Sequence, residues 1–364
     1  MSLITAPNHP VTLADAPNLP QVPSRSPASE VLTTAAKSKP KVLSTQEIHI
    51  ATVNVRNNKD YVPPMDAKAI YVERPWSERK TRLVNSLLST GPLHILGCQE
   101  VLVSFWTWHI CWATLTPMLV LAETTGRKQE NTVQSSLTTQ RSVGWDAELP
   151  RIATIVTLRP LDKENGDQGL VHAINTHYDH KGVEARGQSS LLVRSEIYKW
   201  VTNIEAQVGV IEPGPIILFG DFNSPPHEPG YQNITSFHPL EDGQASYTFL
   251  DLSKHLLTQP SCSLASSPLQ TAPYGPVHTF TGFAPPGSEL LRTIDFVMLG
   301  TDLSSDNVKK AKEGVRLTAG RGGWEAAKYA CLDNFVEGDH EGWTGRWSDH
   351  RAVRVTISRS QSTE

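Results

Sequence analysis

At 364 residues the chain exceeds the usual size of one domain, although α/β and layered β folds run to about 250 residues as a single unit. Hydrophobic residues make up 38% and charged residues 19%, ordinary values for a globular protein with a loop-rich surface. A formal net charge of -4 and a pI near 6.4 do not support binding driven by a broad basic surface, as a general nucleic-acid binder needs, and leave room for a small phosphorylated substrate reached with help from a cation.

Residues 1–44 are rich in Pro, Ser, Ala and Thr and lack apolar periodicity, so a disordered tail is expected there, ahead of one domain over 45–360. The first residues have no basic region leading into a long apolar run and little Arg, so neither a secretory signal nor a transit peptide is expected. Cys98, Cys111, Cys262 and Cys331 are far apart and form no CxxC pair, which argues against a zinc cage or a disulfide framework and for a reduced, intracellular (cytoplasmic) setting.

Alternating and β-branched residues predict a first strand over 47–56. A helix follows over 76–88, with Trp76, Lys80, Leu83, Val84 and Leu87 on one face, and Gly91-Pro92 stops it. Residues 93–100 form the next strand, closing on Gln99-Glu100. Strands are expected over 152–158 and 170–176, joined by a turn near Asn165-Gly166-Asp167. A long helix over 184–206 turns Leu191, Leu192, Ser195, Tyr198 and Val201 to Ile204 inward. Ile216-Ile217-Leu218-Phe219, four apolar residues bounded by Pro215 and Gly220, predict a strand buried on both faces. Residues 227–274 look loop-rich, and late strands are expected over 279–283, 293–299 and 351–357.

The strand ends carry the chemistry. They are Asn54, Gln99-Glu100, Asn175-Thr176-His177, Gly220-Asp221-Phe222-Asn223, Thr293-Ile294-Asp295 and Ser348-Asp349-His350. A period of two puts Asp221 and Asn223 on one side of the extended chain, where an acid and an amide suit a bound water or a phosphate. Each cluster alone could be a solvated turn or a cap. Six of them, each beside an apolar strand, point to one shared site. His49, His94 and His172 lie inside strand patterns and are expected to pack, whereas His180 follows the His177 cluster within reach of the site.

The set resembles the endonuclease/exonuclease/phosphatase (deoxyribonuclease I-like) superfamily, in which an Asn ends the first strand, Gln-Glu ends the second, and Gly-Asp-x-Asn and Ser-Asp-His are signatures. The resemblance implies an α/β four-layer sandwich, with two packed central β-sheets flanked by helices. It implies a hydrolase acting on a phosphoester with Mg²⁺, or Mn²⁺ in its place. Glu100 becomes the main metal ligand with Asn54 and Asp349 nearby, oxygen donors of the kind a hard cation takes. Asp221 would orient or deprotonate the attacking water and Asn223 hold a phosphate oxygen. His350 would act on the phosphoryl group, with Asp295 fixing its ring, and His177 matches the second family histidine. Expected substrates are a phosphorylated small molecule, a lipid headgroup or a nucleic acid, and the chain is expected to act as a monomer. A DNA or RNA nuclease of the same fold, or an inactive pseudoenzyme, are the competing readings.

Between Glu100 and Gly144 the resemblance lapses. Residues 101–122 carry no Asp, Glu, Lys or Arg, and three of the nine tryptophans fall in this stretch. Its length and hydropathy resemble a membrane span, but it falls between two core strands and lacks a basic flank, so no span is expected. Read one base early, Trp106-Thr107, Trp108-His109 and Trp112-Ala113 must encode Asp, Ala and Gly, because Trp has a single codon. The shifted text then gives an amphipathic helix, a Gly-rich turn and a strand resembling one branch of the family. Residues 101–142 are therefore expected to be out of frame or non-native, and a chain translated as written is expected to lack a core strand.

Overall fold

The computed structural model describes residues 47–56, 72–101, 119–122, 132–139, 146–148, 151–159, 169–210, 212–256 and 272–359. The tail, much of 101–142 and the turn near Asn165 lie outside these residues.

Two sheets form the centre. The first contains β1 (Glu47–Asn54), β2 (Ile95–Gln99), β3 (Leu119–Ala122), β10 (Trp324–Leu332) and β13 (Ala352–Arg359), in the order β10-β13-β1-β2-β3. The second contains β4 (Thr132–Thr139), β5 (Arg151–Leu158), β6 (Val171–His177), β7 (Ile216–Asp221), β8 (Tyr247–Asp251) and β9 (Asp295–Asp302), ordered β4-β5-β6-β7-β9-β8. β11 (Phe335–Val336) and β12 (Gly345–Arg346) form a small ribbon beside them.

Strand alternation sorts the core into three apolar layers. Ile50, Ile95, Phe219, Val297, Val353 and Val355 fill the space between the sheets. Ala51, Val53, Leu96 and Cys98 face the other way, under Leu83, Val84 and Leu87 of α1 (Trp76–Ser89). On the second sheet, Ile155, Ile174, Leu218 and Met298 meet Val193, Ile197 and Val201 of α2 (Val183–Val208), with Ile234 of α3 (Pro229–Thr235). The layering is helix, sheet, sheet, helix, the four-layer sandwich expected. The sheets close tightly where Gly97 lies, since a Cβ there would fall 2.3 Å from the Phe219 ring.

Four expectations need correction. Residues 101–142 do not leave the sheets short of a strand. β3 pairs parallel with β2 from Ile95↔Leu119, and β4 pairs antiparallel with β5 from Thr132↔Leu158 to Thr139↔Arg151. An edge strand needs only one row of backbone partners, and a segment rich in Thr and Val can supply it. Residues 279–283 are not a strand: Phe280 makes single bridges to Arg292 and His350, and left-handed backbone at Gly282 (φ 62°) and Phe283 (φ 56°) turns the chain away. The loop-rich region contains α3 and β8. In α2 the inward stripe is Val193, Ile197, Val201 and Ile204, while Leu191 and Leu192 sit at its margin.

Candidate active site

Parallel pairing of β1 with β2 and of β6 with β7 brings their C-terminal ends to one edge, and antiparallel β9 starts there. The registers Asn54↔Gln99, His177↔Asp221 and Asp221↔Asp295 follow. Ser348, Asp349 and His350 arrive in the segment leading into β13. All the strand-end residues singled out in the sequence therefore lie along one edge, drawn from both sheets.

At the centre, His350 Nδ1 lies 2.9 Å from Asp295 Oδ2, a buried ion pair whose members are 4% and 0% exposed. The other ring nitrogen is 3.7 Å from Asp221 Oδ2, and His177 Nε2 approaches the same oxygen at 3.5 Å. Asp221 also accepts from Asn54 Nδ2 at 3.1 Å and from the Asn223 backbone N–H at 2.9 Å. Buried charges persist when paired and hydrogen-bonded in this way. Burial disfavours a charged His350, but Asp295 and then Asp221 outweigh it and push its pKa up to about 10. Burial and the neighbouring Asp295 raise Asp221, against the pull of His350 and His177.

Glu100 stands at the half-buried rim. It accepts from Asn54 Nδ2 at 3.0 Å, and its second oxygen lies 3.4 Å from Arg56 Nη1. Burial works to raise its pKa, yet the Asn54 hydrogen bond, His177 and Arg56 together hold it below the usual carboxylate value. Asp349 Oδ2 lies 3.8 Å from Arg56 Nε, and burial raises this acid despite His350 and Arg56. One guanidinium thus reaches both Glu100 and Asp349, so two oxygen donors converge on a single positive charge.

The backbone is shaped for this. Arg56 (φ 47°), Glu100 (φ 57°) and Asn223 (φ 47°) all occupy the left-handed region that non-glycine residues seldom adopt. Asn223 Nδ2 donates to the Tyr178 carbonyl at 3.0 Å. Gly220, at φ 141°, has no room for a Cβ, which would fall 1.9 Å from the Thr176 carbonyl oxygen.

Several site residues escaped the sequence. Arg56 follows Asn54-Val55 and looked like the end of a strand. Arg79, 1% exposed, donates to the carbonyls of Val55, Arg56 and Trp347, pinning the β1 end to the Ser348 segment. Asn334 donates to the carbonyls of Ser348 and His350 from the other side. Arg151 Nη1 lies 3.2 Å from His177 Nδ1, and Nη2 lies 3.3 Å from Nδ1 of the exposed His180. An Arg at the start of a strand or on a helix face carries no periodic signal that marks it as buried.

No family model and no curated protein matches the chain at the sequence level. Its architecture is nevertheless that of the endonuclease/exonuclease/phosphatase, deoxyribonuclease I-like fold. It is similar to an endonuclease/exonuclease/phosphatase family protein from Bacteroides thetaiotaomicron, with TM-score 0.55 and 17% identity over 86% of this chain and 96% of that one. It is also similar to a mannosyl-6-phosphatase from the same organism (TM-score 0.53, 18% identity, 85% of this chain and 99% of that one). A functionally unknown protein from Enterococcus faecalis gives TM-score 0.52 and 20% identity, covering 86% and 100% of the two chains. At these identities the likeness is one of fold.

Among the described residues, Asp221, Asp295 and His350 each place a donor atom within 4.8 Å of the others, a second grouping able to face a cation. The Glu100 and Asp349 carboxylates are oxygen donors of the kind a hard divalent ion takes and both reach the Arg56 guanidinium, while Asn54 turns its Nδ2 to Glu100 and its Oδ1 to the Arg56 backbone N–H. No helix among the described residues is long and apolar enough to cross a membrane.

Proposed function

We propose that the protein is a divalent-metal-dependent phosphoester hydrolase acting on a small phosphorylated molecule or lipid headgroup. The observation that carries this reading is the convergence, at one edge of two packed sheets, of the His350–Asp295 pair, Asp221, His177 and the Glu100–Asn54–Asp349 group.

Glu100, Asp349 and Asn54 would hold Mg²⁺, with Mn²⁺ as a substitute. When bound, the cation would draw charge from a phosphoryl oxygen and ease departure of the leaving group. The remaining steps belong to the protein. Asp221 is steadied by two N–H donors and has a raised pKa, so its carboxylate is suited to orient an attacking water and take its proton. Asp295 fixes the His350 ring through Nδ1 and keeps it cationic. Nε2 then faces the space beside Asp221, placed to stabilise charge growing on the phosphoryl oxygens or to hand a proton to the departing oxygen. His177 borders Asp221 on another side, and Asn223 lies beside it to hold a phosphate oxygen.

The formal charge of -4 favours a small or lipid phosphoester over nucleic acid. The test is a panel of bis-p-nitrophenyl phosphate, p-nitrophenyl phosphate, sugar phosphates including mannose 6-phosphate, phosphoinositides, plasmid DNA and RNA, with and without Mg²⁺. Metal-dependent turnover of the small esters is expected. Turnover confined to DNA or RNA would overturn the substrate class, and folded protein inert toward the whole panel would overturn the activity.

A further inference from the structure

On the outer face of the first sheet, away from the active-site edge, a cavity of about 480 Å³ opens beside the C-terminal end of α1. One wall is polar, formed by His49 of β1, Lys328 of β10, and Arg354 and Thr356 of β13; Leu256 and Tyr274 contribute an apolar wall. His49 and Asn54 lie five positions apart on β1 with opposite facing, roughly 17 Å along the strand. The cavity is therefore separate from the edge where Glu100, Asp221 and His350 meet.

Its polar groups are mostly donors. His49 is 7% exposed; its Nδ1 lies 2.9 Å from Thr356 Oγ1, while Nε2 is buried with no hydrogen-bond partner. His94 packs on it with ring centroids 4.9 Å apart and accepts the His49 backbone N–H at Nδ1, which leaves the proton of the neutral ring on Nε2. Arg354 donates to the carbonyls of Leu87 and Pro92. Lys328 is exposed and makes no ion pair among the described residues. The acid facing this group is Glu47, whose Oε2 lies 3.7 Å from His49 Nε2. Four basic side chains thus gather around one half-exposed carboxylate, and the buried His49 Nε2 is left without a hydrogen-bond partner, a costly state unless something supplies one.

The geometry points to a second ligand site here, one that takes a small phosphate ester, its oxyanion against His49, Lys328 and Thr356 and its organic part against Leu256 and Tyr274. The volume suits such a molecule, and a mostly apolar wall with a few convergent polar groups is the usual form of a small-molecule site. Burial above all, then His94, lowers the pKa of His49, with Glu47 opposing and Arg354 and Lys328 adding to the fall; burial and Arg354 lower His94. An arriving anion reverses that balance and draws protons back onto the two rings, so binding tightens as pH falls.

The experiment follows the imidazole NMR signals of His49 and His94 in the full chain, titrated with inorganic phosphate and with mannose 6-phosphate without added metal. Saturable shifts are expected for both, tighter for the ester and tighter at lower pH. Lys328→Glu should weaken them by about tenfold or more while leaving hydrolysis of p-nitrophenyl phosphate unchanged. Unmoved His49 and His94 signals, or shifts undiminished in Lys328→Glu, would overturn the site. An ester that binds no tighter than phosphate would overturn the role given to the apolar wall. The readout does not pass through catalysis, so it stands or falls apart from the proposed activity.

Discussion

Gln99 Nε2 lies 2.6 Å from Asn175 Oδ1, and this hydrogen bond joins the end of β2 in one sheet to β6 in the other. The same amide donates to Thr52 at 3.0 Å, and Asn175 Nδ2 donates to the Cys98 carbonyl at 3.1 Å. Both side chains are buried, at 0% and 2% exposure, directly beneath the acidic cluster. Gln99→Leu or Asn175→Leu leaves its partner unsatisfied in the core and should cost about 1–3 kcal/mol each. The double variant should cost less than the sum of the two. Urea denaturation across the four proteins of this cycle measures the coupling, and additive losses would remove the cross-sheet bond from the account.

Glu100→Ala and His350→Ala address the proposed active site at its metal-binding and its proton-handling groups. Each should lower kcat/KM toward a small phosphoester by about a thousandfold or more, with far-UV circular dichroism unchanged. Activity retained in both variants would refute the site assignment.

Two glycines test how closely the sheets, and the strands β6 and β7 at Gly220, are packed. Gly97→Ala drives a methyl group into Phe219, and Gly220→Ala meets both the Thr176 carbonyl and a left-handed φ. Losses of about 2 kcal/mol or more are expected for each, with the larger at Gly220, where backbone cannot move aside as a ring can. Chemical denaturation of the pair gives the order.

Acid stability should depend on Glu205. It accepts both guanidinium N–H groups of Arg321 at 2.7 Å and lies 3.2 Å from His172 Nε2. Burial alone would raise its pKa, but these partners lower it to about 2 from an ordinary 4.5. A folded-state pKa below the unfolded one gives stability present above about pH 4.5 and lost as pH falls toward 2. The contribution is of order 2 kcal/mol after allowing for solvent screening at its rim. Thermal melts of the wild type and Glu205→Gln over that range should converge at the acid end; parallel curves would exclude the linkage.

Residues 101–142 call for a test on nucleic acid rather than protein. If the segment is out of frame, cDNA from the native transcript should carry a one-base offset upstream of Phe105 and a compensating change before Gly144. A transcript matching the chain as written, together with turnover by that chain, would end the out-of-frame reading. β3 and β4 already weaken the expectation that such a chain must be short of strands.

How much of this was legible in the sequence depended on local signal strength. Ile216 to Phe219 announces a doubly buried strand, and Asp221 at its end could be placed in a site because other apolar strands closed on Asn54 and Glu100 or opened near Asp295. β10 escaped because Trp-Glu-Ala-Ala-Lys-Tyr-Ala-Cys-Leu has no β-branched residue and weak alternation. The helix α4 (Ser305–Lys312) buries no residue, so it shows no apolar stripe; its marks are Ser304, whose side chain accepts from the Asn307 N–H, and the Asp306-to-lysine charge order along it. Arg56 and Arg79 were missed for a different reason. Their importance comes from carboxylates and carbonyls distant in sequence, and no short-range pattern contains that.

Asn54, Glu100 and Asp349 come with one sheet, while His177, Asp221 and Asp295 come with the other. Under the proposed function, turnover would therefore gauge how the two layers sit on each other. A slip of about 1 Å between them would separate the two halves of the site while each layer kept its own hydrogen bonds, at a cost of about a hundredfold in rate. Substitutions deep in the shared apolar layer, at Ile50 or Val297, should then abolish the proposed activity well before they unfold the protein.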